Sequence, residues 1–171
     1  PELLDWLAVS FQESGGSLKQ LHQLMVTSST YRQSSRSNPR HARLDADNLY
    51  LWRMNRTRLD AESVRDAVLE ITGRLDLTMG GPSVKQFIES PGIHVTPNVD
   101  YAHFNVDNPA NYRRSVYRFL FRTLPDPFME ALDFPDLGLL SPVRGFSASS
   151  LQALTLYNND FVLHQSAVLA Q

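Results

Sequence analysis

Residues 1–28 read PELLDWLAVSFQESGGSLKQLHQLMVTS, and this stretch decides the fold class. Leu3, Leu4, Leu7, Ala8 and Phe11 recur at helical spacing and make one apolar stripe. Pro1 suits a first helical turn, and Gly15-Gly16 stop the helix. Ser17, with Gln20 three residues on, forms a capping-box pattern that opens a second stripe of Leu18, Leu21, Leu24 and Met25. A two-glycine link favours an antiparallel helix pair. The chain therefore reads as mainly α from its start.

The pattern continues unevenly. Residues 34–47 are polar and basic, with Ser34, Ser35, Ser37, Asn38 and Pro39, and predict a surface loop. A short helical run is expected over 49–54. Asp60 is placed to cap a helix whose core stripe is Val64, Ala67, Val68, Ile71 and Leu75, with Gly73 at its end. From 76 to 112, Gly80, Gly81, Pro82, Pro91, Gly92, Pro97 and Pro109 interrupt every period and predict a long irregular loop. Residues 116–122 fit two templates. As a helix, Tyr117, Leu120, Phe121 and Leu124 align. As a strand, Tyr117, Phe119 and Phe121 oppose Arg114, Arg118 and Arg122, and the Val, Tyr and Phe content favours this reading, with Val84–Ile88 as partner. Ser149 and Gln152 form a capping box for a penultimate helix. Asn158-Asn159-Asp160 breaks it, and Phe161, Val162, Gln165, Val168 and Leu169 resume a last one. The expected architecture is an irregular helical domain of about six helices with a small β-hairpin or short sheet, one domain over 1–171.

A chain of 171 residues buries about 70% of its unfolded surface, enough for one sizeable core, and capped amphipathic stripes that close it without disulfides predict a monomer. The net charge is −2, which lacks the Lys/Arg excess that neutralises phosphates and argues against nucleic acid as a partner. No run of about 18 apolar residues is available to span a membrane. The chain opens directly on a helix with no signal peptide and ends inside an apparent helix, which reads as a segment of a larger multidomain chain. It contains no cysteine, so it has no disulfide, no thiolate nucleophile and no thioether anchor for a c-type haem.

Several blocks carry a resemblance. They are Pro1–Ala8 (PELLDWLA), Thr27–Ser35 (TSSTYRQSS), Leu51–Arg56 (LWRMNR), Ala61–Asp66 (AESVRD), Gly80–Val84 (GGPSV) and the long run from Arg113 (RRSVYRFLFRTLPDPFMEALDFPD, then SPVRG, then LQALTLYNN). Together they are similar to the C-terminal domain of unknown function of large planctomycete proteins, often found with cytochrome-c-type haem domains. At Phe134 the chain departs from the Asp-Cys-Pro-Asp pattern that the resemblance leads one to expect, which argues against an essential thiol there. The resemblance implies an exported, periplasmic parent and haem c only in its other domains. It also implies docking to those domains or to exported partner proteins, in electron transfer coupled to polysaccharide breakdown.

The polar residues admit three kinds of site. Arg113, Arg114, Arg118, Arg122 and Arg144 stand near Asp126, Asp133 and Asp136, and arginine forks clamp carboxylates. The plain reading is an Arg–Asp network organising a helical core, with Arg144 linked to Asp133 and Asp136. The sharper one is a pocket for an anionic ligand such as a uronic acid or sulfate group. Asp133 and Asp136 also flank Phe134-Pro135, as turn formers or as the acid and base of a carbohydrate-binding or carbohydrate-cleaving site. His94, Asp100, His103 and Asp107 lie within one loop and have the donor types of a divalent-metal site, though in no recognised spacing.

Overall fold

A computed structural model describes residues 2–94, 96–139 and 143–171. Among these, helices dominate and the only sheet is a two-stranded antiparallel hairpin, the predicted class. The chain divides into two compact units, Pro1–Thr57 and Arg58–Gln171.

In the first unit, α1 spans Glu2–Glu13 and α2 spans Leu18–Thr27. The turn between them follows from the two glycines. Gly15 takes φ 70° and Gly16 φ 75°. Gly16 N–H reaches back to the Phe11 carbonyl at 2.9 Å and Gly15 N–H to that of Gln12 at 3.0 Å. This is the paired closure that a left-handed residue makes possible at a helix end. Ser17 then caps α2 through the amide of Gln20.

The next stretch differs from expectation. The predicted loop contains α3, Pro39–Leu44, started by the Asn38 side chain accepting from Arg40 N. The predicted helix over 49–54 is a loop instead. The Asp45 carboxylate captures the amides of Leu49 and Tyr50, at 2.9 and 2.8 Å. Asn48, at φ 59° and 3% exposed, binds Arg53 through both ends of its amide and donates to Asn55. Asx side chains here supply the backbone with partners that a helix would otherwise provide.

In the second unit, α4 spans Ala61–Ile71, with Asp60 accepting from Ser63 N at 2.8 Å, and Gly73 (φ 68°) closing its end as predicted. Strands β1 (Ile88–Ser90) and β2 (Asn98–Asp100) pair in antiparallel register, Ile88 opposite Asp100. The hairpin thus lies inside the irregular loop. The expected strand over 116–122 is not formed. Residues 115–117 make a 3-10 turn, and pairing with Val84 is confined to one parallel bridge at Arg118. The predicted side-chain alternation nonetheless persists in part, because Phe119 and Phe121 both pack on Phe87, at centroid distances of 6.0 and 5.3 Å. Three short helices finish the unit: α5 (Pro127–Ala131), α6 (Ser150–Asn158) and α7 (Asp160–Leu169). Asn159 both ends α6 and caps α7. The core is Ala61, Phe128, Met129 and Leu132, wrapped by Val64, Phe134, Leu156, Phe161 and Val162.

Candidate functional site

α5 organises the polar centre of the second unit. Its cap, Asp126, accepts from Phe128 N and Met129 N at 3.0 Å each. The other oxygen of the same carboxylate receives a hydrogen bond from Arg118 Nη2. Both side chains are buried, 7% exposed for Arg118 and 5% for Asp126. A buried carboxylate without a cationic partner is costly, so the cap and the ion pair depend on each other.

Beside this pair lies Arg65, 2% exposed, one helical turn from both Ala61 and Leu69. It donates to the carbonyls of Arg113 and Asn111 and to Ser115 Oγ. Asp66 takes the Ser115 amide and hydroxyl, each at 2.7 Å. Together they pin the irregular segment 111–115 onto α4. Burial, reinforced by the Arg118 charge, pushes the Arg65 pKa down to about 10, against the pull of Asp66 and Asp126. The expected α4 stripe did not include Arg65, and it placed Ile71 inside where the structure leaves it 66% exposed. The signal available was spacing: Arg65 sits at i+4 from Ala61 and i−4 from Leu69. Its acceptors are main-chain oxygens, which no side-chain pattern announces.

Arg113 does similar service nearby. Its guanidinium donates to the carbonyls of Thr78, Gly80 and Pro82 and lies 3.8 Å from the Tyr117 ring centroid. The Gly80-Gly81-Pro82 turn is held this way, with both glycines at φ 82°.

The predicted network of Arg144 with Asp133 and Asp136 is not formed. Arg144 clamps Glu62 through both Nη atoms, at 2.6 and 2.7 Å, and approaches Asp60 at 3.7 Å. Asp133 sits at φ 62° just past α5. It accepts from Ser147 N, Ser147 Oγ and Gln152 Nε2, at 2.6, 2.8 and 2.8 Å. These bonds, with Ser147 N foremost, hold its pKa below 3.8. Asp136 accepts from Gly138 N in a local turn. Arg114 is half exposed, with Nε 3.9 Å from Asp66 Oδ2. Glu62 lies inside the AESVRD block, but its partner is 82 residues away, and sequence proximity pointed to the wrong carboxylates.

The candidate residues consequently face different clefts. Asp136, with Phe121, Arg122, Asp126 and Glu130, lines a cleft of about 350 Å³. Asp133 lines a separate one of about 250 Å³ with Arg58, Ser147 and Gln152. Arg114 and Arg118 border a third, beside Asp60, Glu62 and Asp66.

The loop histidines also separate. His103 Nδ1 meets Asp100 Oδ2 at 2.8 Å. Asp107 instead meets His164 Nε2 at 2.9 Å, with Arg74 and Tyr112 close by. His94 is exposed at φ 58°. Among the described residues, no group of three or more His, Cys, Asp or Glu is placed to hold a metal ion.

A family model described as PSD1, protein of unknown function (DUF1553), matches residues 1–171. No curated protein and no solved structure matches the chain. No helix of the described residues is long and apolar enough to cross a membrane.

Proposed function

Taking as premise that this chain belongs to the DUF1553 family of proteins of unknown function, we propose that it is a non-catalytic docking module of a larger exported protein. One observation carries this reading. Leu3, Leu4, Trp6 and Val9 of α1 are 69%, 70%, 54% and 52% exposed, and neither α1 nor α2 buries any residue. A unit of about this size ordinarily buries about 60% of its unfolded surface. Several large apolar side chains left exposed on one short helix are what a protein contact would cover. The partner of fitting chemistry is another folded domain of the same parent. Its resemblance to planctomycete proteins with c-type haem domains motivates an electron-transfer setting linked to polysaccharide breakdown.

The test is hydroxyl-radical footprinting of residues 1–171 alone and within the full-length parent. Trp6 and the apolar α1 side chains should lose most of their labelling in the parent. Equal labelling in both samples would overturn the docking reading.

A second reading, carbohydrate binding or cleavage, draws on the cleft that places Asp136, Glu130 and Arg122 beside Phe121 and Phe134. Carboxylates beside aromatic faces suit sugar hydroxyls and ring faces. In this reading Asp136 contacts sugar, while Asp133 and Arg144, which line other surfaces, do not. Calorimetric titration with neutral and uronic oligosaccharides checks it: saturable heat lost in Asp136→Asn supports it, and heat unchanged by that variant sinks it.

A further inference from the structure

We infer that residues 31–56 of the first unit form a docking surface for an acidic stretch of another protein, through contacts that do not involve the α1 side chains of the docking reading. The arginines carry the inference. In the second unit every arginine binds a carbonyl or a carboxylate, the exposed Arg58 and Arg122 included. In the first unit Arg32, Arg36, Arg40, Arg43 and Arg56 are exposed. Among the described residues none of these five makes an ion pair or a side-chain hydrogen bond.

The fold gathers them. Met54 N–H donates to the Ser34 carbonyl at 3.1 Å, and Arg32, Arg36 and Arg56 each lie two residues from that bond. The His41 ring of α3 meets Trp52 edge-on, with centroids 5.4 Å apart, which joins α3 to the same segment. Arg40 and Arg43 are neighbours at i, i+3 on that helix. Local stability does not call for this arrangement. Arg40 stands in the first turn of α3, where the helix dipole disfavours a cation. The segment holds two carboxylates, Asp45 and the exposed Asp47, and Asp45 is taken up by the amides of Leu49 and Tyr50. A choice of residues that works against local stability, with no contact in the fold to offset it, marks a functional surface.

Composition chooses the partner. Residues 31–56 contain no lysine, leave Tyr31 and Tyr50 exposed among the arginines, and set Arg53 over the Trp52 ring. Arginine with tyrosine and tryptophan, and without lysine, is the composition of protein–protein contacts. The net charge of −2 gives a long polyanion no overall attraction. A short acidic stretch needs only the local cluster, and each guanidinium fork can take a carboxylate through two parallel hydrogen bonds.

The probe is a short fluorescein-labelled peptide of alternating glutamate and aspartate, with its glutamine–asparagine isostere as control, titrated into the 171-residue protein by fluorescence anisotropy. The acidic peptide should bind saturably and about tenfold more tightly than the isostere, less so as salt is added. Arg36→Gln, Arg40→Gln and Arg43→Gln together should leave the melting temperature unchanged and abolish the preference. Arg32→Gln with Arg56→Gln tests the other part of the cluster in a second background and should weaken binding in the same way. Heparin and phosphatidylserine vesicles, titrated in parallel, represent the other polyanions. No saturable binding of the acidic peptide, equal affinity for the isostere, undiminished binding in either variant, or tighter binding of heparin or vesicles would each overturn the assignment.

Discussion

Asp133 and Ser147 are joined twice: the carboxylate accepts both the amide and the hydroxyl of Ser147, at 2.6 and 2.8 Å. Asp133 does this from the left-handed conformation, φ 62°, at the position past α5 where glycine is usual. The carboxylate therefore holds the chain before α6 while the backbone turns the chain out of α5. Asp133→Gly should relieve the backbone yet lower the melting temperature, because all three bonds to the carboxylate vanish. Asp133→Asn, which tolerates the same φ and keeps one acceptor, should fall between glycine and wild type. A glycine variant at or above wild type would show that the carboxylate is dispensable.

The same group sets a pH dependence. Its folded pKa is lowered from 3.8, so its contribution is fully present above the unfolded value and is lost as pH falls through the lower folded one. The melting-temperature gap between wild type and Asp133→Asn should be constant from neutral pH to about 5 and close at acid pH below 3.8. A gap unchanged across that range counts against the linkage.

Arg65 is the residue whose loss should cost most. Its replacement by methionine leaves the carbonyls of Asn111 and Arg113 without their donor and Asp66 with one fewer cation. Breaking a buried charged network of this kind costs about 3–5 kcal/mol. Arg65→Lys should recover little of it, since an ammonium cannot span both carbonyls as the fork does. Urea denaturation measures both, and a loss under about 1 kcal/mol in Arg65→Met would refute the pinning role.

Arg144 should matter less than its place among the acidic residues first suggests. Its pair with Glu62 is bidentate but lies at the surface, with the two side chains 39% and 26% exposed. A double-mutant cycle of Arg144→Ala and Glu62→Ala should give a coupling of about 0.2–1 kcal/mol, weakened by salt. A coupling of several kcal/mol would mean the pair is desolvated in solution.

Trp52 reports on the loop that replaces the expected helix. Its indole N–H donates to the Asp45 carbonyl at 2.9 Å, and the Asp45 side chain organises Leu49 and Tyr50. In a Trp6→Phe background, Asp45→Ala should red-shift Trp52 emission and speed hydrogen exchange over 45–55 while leaving α4 unchanged. An unaltered spectrum would assign the loop's order to other contacts.

Local signals proved readable where a residue acts on neighbours within a turn or two. Ser17, Asp60 and Ser149 cap the helices they precede, Gly15 and Gly73 close the helices they follow, and Asn159 divides the last two. These roles depend on a side chain's reach to its own backbone or on the freedom of one φ angle, and both are properties of residue type and order. The helix expected over 49–54 failed because Asp45 and Asn48 act at four to seven residues' distance, beyond a capping pattern. The strand expected over 116–122 failed because a strand needs a partner along its length, and Val84 meets it at one bridge only.

The sequence by itself determined the helical class, the caps and breaks, the absence of thiol chemistry and the family. The tertiary structure alone decided which charges meet. Of the expected arginine–aspartate contacts Arg118–Asp126 formed, whereas Arg144 found Glu62 rather than Asp133 and Arg65 found main-chain oxygens some 46–48 residues away. The physical reason is that a guanidinium's partner is set by which buried acceptors lack a donor once the elements have packed. That shortage exists only in three dimensions.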